Sequence, residues 1–148
     1  IIGYHYGAQN TKELKSLLKK SLKLLIITSN VMTVIGELLA KPLAGIFVSY
    51  DVNLLDMTTN AIRIFSISYL ISGINIFASS FFTALNNGVV SAAISFLRTL
   101  LFQIAMIFIL PLIWSLNGIW LAVVFAEVLA LIVSMAFLVT NRKKYQYI

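Results

Sequence analysis

Residues 64–97 read IFSISYLISGINIFASSFFTALNNGVVSAAISFL, 34 residues without one charged side chain. Residues 99–126, TLLFQIAMIFILPLIWSLNGIWLAVVFA, are uncharged as well. A helix that crosses a bilayer needs about 20 mostly apolar residues. Strands of a membrane barrel alternate over segments of about ten residues, and these runs do not alternate. Only helices and closed barrels satisfy their backbone groups inside lipid. The fold class expected is therefore an all-α integral membrane protein.

The rest of the chain agrees. Of 148 residues, 60% are hydrophobic and 11% charged. Soluble domains average about 45–50% apolar and about 25% charged residues. The mean hydropathy is +0.97. No cysteine is present and His5 is the one histidine, so a disulfide scaffold, a thiolate metal site and a histidine-rich metal cluster are excluded. The formal charge is +6, and most basic residues fall within 12–23 and 142–144. They flank apolar runs, so they are read as topology signals and no nucleic-acid partner is expected.

Four transmembrane helices are expected, at about 21–40, 58–83, 89–110 and 118–140. Residues 1–20 read as the end of a preceding helix, broken by Gly3 and Gly7, and a basic amphipathic linker. Leu14, Leu17, Leu18 and Leu22 share one face of that linker, with lysines opposite. Pro42 is expected to end the first span at Lys41, and Pro111 the third. Residues 51–56 read as the most polar internal loop, and Asn86-Asn87-Gly88 as a turn. The basic segments at both ends predict that both ends are cytoplasmic, in a cell (inner or plasma) membrane. Because the chain opens at Ile1, it is read as the C-terminal part of a longer protein.

Polar residues inside the spans are the candidate site. Glu127 lies about 14 Å into the fourth span at 1.5 Å per residue, near the bilayer middle. A charge there costs at least about 2.5–3.5 kcal/mol. Two readings compete, a cation- or proton-coupling carboxylate and a structural bond between helices. Arg98 is the expected partner across the hairpin of the third and fourth spans. A carboxylate held by arginine is a poor proton carrier, which favours the structural reading. Ser68, Ser72, Asn75, Ser79 and Thr83 follow spacings of three and four and share a helical face. The serines are read first as close-packing residues, while Asn75 fits packing and solute contact equally. Ser72, Ser79 and Gln103 are kept with Asn75 as candidate cavity, substrate or ion contacts. Glu37 and Arg63 are read as snorkelling side chains near helix ends. His5, between two tyrosines, is read as an interfacial ring. No phosphate loop, HExxH or GxSxG motif occurs, so an enzyme is not expected.

Three stretches together resemble the multidrug and toxic compound extrusion (MATE) family. Ile2-Gly3-Tyr4-His5-Tyr6-Gly7-Ala8 is similar to the G-Y-N-Y-G-A segment closing the family's eighth helix. Pro42-Leu43 with Ile46-Phe47 resembles its P-L-x-x-L-F pattern. Phe81 to Gly88, followed by Leu97-Arg98, resembles its F-x-A-x-G-N-G turn and L-R pair. Asn117-Gly118-Ile119-Trp120 and Glu127 fit its twelfth helix. The resemblance implies helices nine to twelve of a twelve-helix inverted-repeat transporter. It implies export of small organic cations and drugs in exchange for Na⁺ or H⁺, with no other cofactor and with the N-terminal lobe as partner. Some members carry an acidic cation ligand in the tenth helix. Ser72-Gly73 stands there in this chain, so the resemblance places coupling in the N-terminal lobe. The competing readings are a lipid-linked glycan flippase of the same superfamily and a small non-transporting membrane subunit.

Overall fold

A computed structural model describes residues 1–147. Among them it contains helices and turns and no strand. The elements are α1 (Ile2–Gly7), α2 (Thr11–Val48), α3 (Val52–Ile67), α4 (Tyr69–Ala84), α5 (Gly88–Phe96), a π-helical segment (Leu97–Phe102) and α6 (Gln103–Tyr145). Thr11–Val48 and the helical run Gly88–Tyr145 are long and apolar enough to cross a membrane. A third candidate is the pair α3 and α4 taken as one bent span.

α2 starts on Asn10, whose side chain accepts the Glu13 amide at 3.1 Å. Leu14 and Leu18 point into the core while the lysines around them stay exposed. The linker is not a separate helix, because α2 runs unbroken from it into the first apolar stretch. Nor does Pro42 end that stretch, as α2 continues past it to Val48. A proline removes one ladder donor, and within an apolar helix the remaining bonds have no better partner than the helix itself. Gly3 likewise sits inside α1 without breaking it.

The expected loop at 51–56 is also corrected. Asp51 accepts the Leu54 amide at 3.1 Å and caps α3, so helix begins at Val52. The expected span 58–83 is two helices that meet at Ser68 with a bend of 43°. There the Ser68 hydroxyl and amide both bond the Phe65 oxygen, at 2.7 and 3.0 Å. This tightens the turn and interrupts the α-helical ladder. Asn86-Asn87-Gly88 forms the expected turn, with Asn86 in left-handed backbone (φ 57°) and the Asn87 side chain capping α5 at the Val90 amide.

Gly88–Tyr145 is a hairpin. Straight helix would place residues 98 and 127 more than about 40 Å apart at 1.5 Å per residue, yet their side chains are in contact at 2.7 Å. The reversal lies at Trp114 and Ser115, whose φ/ψ are non-helical, with Ser115 at φ 48°. Helix therefore continues past Pro111 for three residues beyond the expected stop. The returning limb buries Gly118, Ala122, Ala126, Ala130, Ser134 and Leu138, one face at four-residue spacing. At Gly118 a Cβ would collide with the Leu110 main-chain oxygen, so glycine permits the closest approach in the hairpin.

The tightest core sits at one end. Leu14, Leu18, Phe81, Phe82, Leu138 and Tyr147 cluster where the chain's beginning and end meet. Elsewhere large apolar side chains face outward, among them Leu24, Val34, Leu38, Phe108 and Ile132. Small residues inside and large ones outside is the arrangement of helices in lipid, where packing and not apolar burial joins them.

Candidate functional site

Three segments converge on Glu127. α4 contributes Asn75, the π segment Arg98, and the returning limb of α6 Glu127 itself. Asn75 Nδ2 donates to the Glu127 main-chain oxygen at 3.0 Å and to Oε2 at 2.7 Å. Arg98 Nε donates to both carboxylate oxygens, at 2.9 and 3.0 Å, and Nη2 lies 2.7 Å from Oε1. Asn75 is fully buried, Glu127 buried and Arg98 half-buried. Opposite charges held this way remove the cost each would carry alone in an apolar surround. The π segment widens the helix where Arg98 leaves it, a local deviation common beside functional sites.

Asn75 Oδ1 is a buried acceptor without a partner among the described residues. Asn75 and Arg98 line a cavity of about 170 Å³ together with Ser79, Ser80 and Ser95. The wall carries a buried amide and several hydroxyls, beside an ion pair whose charges cancel. It can receive hydrogen bonds from a polar solute without imposing a net charge.

Ser79 is shared between that wall and the helix contact. Its hydroxyl donates to the Ser91 oxygen at 3.1 Å and lies 2.9 and 2.8 Å from the Ser91 and Ser95 hydroxyls. Thr83 Oγ1 reaches the Ser91 hydroxyl at 2.7 Å. These contacts lace α4 to α5. Ser72 is not part of this site. It lines a separate cavity of about 210 Å³ with Ser29, Tyr69 and Gly73, between α2 and α4. Gln103 is half-buried, lines neither cavity and makes no side-chain hydrogen bond among the described residues.

Two features escaped the sequence reading. Glu37 and Arg63 face each other at 3.8 Å from different helices, Glu37 half-buried and Arg63 exposed. The small-residue face of α6 is present in the sequence as the four-residue recurrence from Gly118 to Ser134.

A family model described as MatE matches residues 1–109. The match takes in Asn75 and Arg98 and ends before Glu127. No curated protein and no solved structure matches the chain. The matched residues cover well over half of the chain and agree with its apolar helices, and the chain belongs to the MatE family of membrane transporters.

Proposed function

We propose that the chain supplies helices nine to twelve of a twelve-helix antiporter that exports organic cations and drugs in exchange for Na⁺ or H⁺. The observation that carries this reading is the family match, joined to the polar cavity wall at Asn75. On this reading α2 makes one crossing, α3 with α4 a second, and the hairpin of Gly88–Tyr145 two more. Both ends face the cytoplasm of a plasma or inner membrane, as the lysines and arginines at 12–23 and 142–144 favour. The solute route runs between this lobe and an N-terminal one, which carries the coupling acid. A lipid-linked glycan flippase of the same superfamily is the second reading, and the pairing of Arg98 with Glu127 counts against it.

The test is accumulation of a fluorescent organic cation in cells that express the complete protein. Lower accumulation than in control cells, reversed by collapse of the ion gradients, is expected. Unchanged accumulation with faster turnover of a lipid-linked glycan establishes the flippase instead. Asn75→Ala is expected to weaken export by roughly tenfold, about one good hydrogen bond to the solute.

A further inference from the structure

A cavity of about 420 Å³ lies away from the network of Glu127, where the two ends of the chain meet. That volume is within the usual range of small-molecule sites, about 300–1,000 Å³. Its walls come from α1, the start of α2 and the residues that close α6. His5, Tyr6, Gln9, Thr11, Lys144 and Tyr145 line it, and among the described residues no acidic side chain does.

The walls are braced from behind. The rings of Tyr6 and Tyr145 meet edge to face at 5.6 Å. Tyr145 stacks on Tyr147 at 6.4 Å, and Tyr147 packs against Phe81 at 5.0 Å. The Tyr147 hydroxyl donates to the Leu138 oxygen at 2.7 Å. Gln9 and Gln146, both in left-handed backbone, turn the chain at the rim. The cavity is thus formed by ordered core contacts and not by a loose tail.

Its chemistry is that of a site for an oxyanion. Lys144 brings an ammonium, with Nζ 5.1 Å above the Tyr145 ring. His5 Nδ1 is buried and has no hydrogen-bond partner among the described residues. Thr11 and Tyr6 add hydroxyls and Gln9 an amide. Lys12, Arg142 and Lys143 flank these residues in sequence and raise the local positive potential, while Glu13, the nearest acid in sequence, stays off the wall and exposed. Several donors around a cation, with no carboxylate among them, suit a tetrahedral phosphate. We propose that this cavity binds the phosphate group of an anionic ligand. Anionic lipid headgroups and free phosphate share that chemistry, and a basic segment beside apolar helices favours the lipid.

The experiment uses the complete protein purified in a neutral detergent. Retention of phosphatidylglycerol and of phosphatidylcholine is measured by native mass spectrometry, and binding of inorganic phosphate by calorimetry. Phosphatidylglycerol is expected to bind in preference to phosphatidylcholine. Lys144→Gln and His5→Gln should each weaken binding by roughly tenfold, the loss of one charge-assisted contact. Lys41→Gln removes the same charge far from the cavity and should leave binding unchanged. Each variant's melting temperature without ligand, equal to that of the parent, excludes misfolding as the cause. Inorganic phosphate bound with the same dependence on Lys144 and His5, without retained phosphatidylglycerol, supports the site with a soluble ligand. The proposal is overturned if neither probe binds, or if both variants bind as the parent does.

Discussion

Arg98 reaches both carboxylate oxygens of Glu127 from 29 positions earlier in the chain, with Nε at 2.9 and 3.0 Å. That contact is possible because the helix reverses at Trp114 and Ser115. Asn75 grips the same carboxylate from α4, so one anion fastens three segments. Removal of either partner leaves a charge or an acceptor exposed to an apolar surround.

Arg98→Ala should therefore destabilise the complete protein by about 3–5 kcal/mol, the range for breaking a buried pair. Arg98→Ala combined with Glu127→Gln should recover part of the loss, because no uncompensated charge remains. Thermal unfolding in detergent is measured for Arg98→Ala, for Glu127→Gln and for the double variant. Strictly additive losses in the double variant contradict the pairing.

Gly118→Ala should weaken the hairpin by about 1–3 kcal/mol, the usual range for overpacking. A Cβ there meets main-chain atoms of Leu110 and Pro111, which cannot rotate away. Gly45 offers the contrast, since a Cβ there meets nothing within 4 Å. Gly45→Ala should be neutral or stabilise by up to about 1 kcal/mol, because alanine is the better helix former. Equal melting temperatures for the two variants would show that the close approach has no energetic weight.

The hydroxyls between α4 and α5 are expected to act mainly through their size. Ser79→Ala should change stability by only about 0.6 kcal/mol, the average for interhelical hydrogen bonds in membranes. Ser91→Leu should cost about 1–3 kcal/mol, because Ser91 is buried against Ser79 and Thr83. A larger loss from the alanine than from the leucine reverses this ranking.

Tyr147 links the tail to alkaline pH. Burial, and then repulsion from Tyr145, push its phenol up from 10.0 to about 12. Below pH 10 it is protonated in folded and unfolded chains alike, and its full contribution is present. Between 10 and about 12 only the unfolded chain ionises, so docking of the tail weakens as pH rises through that window. Tyrosinate absorbance during an alkaline titration should show a late step that Tyr147→Phe abolishes. That variant also loses the bond to the Leu138 oxygen, worth about 1 kcal/mol.

Much of the architecture was legible in the sequence, and the misses share a cause. The uncharged runs pointed to helices in lipid, and Asn86-Asn87-Gly88 pointed to the turn between α4 and α5. Pro42 and Pro111 misled because proline stops helices most firmly in water, where freed carbonyls find solvent. Asp51 misled because a cap and a polar loop use the same residue types. The bend at Ser68 had no signal beyond a serine in a serine-rich stretch. For the site, Arg98 and Glu127 stood out because charges are rare at such depth. Asn75 stood out as the largest member of its polar face. What joins them to each other, and what separates Ser72 and Gln103 from them, depends on the reversal at Ser115 and on helix rotation, which spacing along one helix does not contain.

Reconstitution separates ion-coupled export from its alternatives. The complete protein in proteoliposomes is loaded with a fluorescent organic cation, and an inward Na⁺ or H⁺ gradient is then imposed across the export direction. Saturable efflux is expected that accelerates with one of the two gradients and slows when an ionophore dissipates it. Efflux indifferent to both gradients, or none above protein-free vesicles, contradicts it.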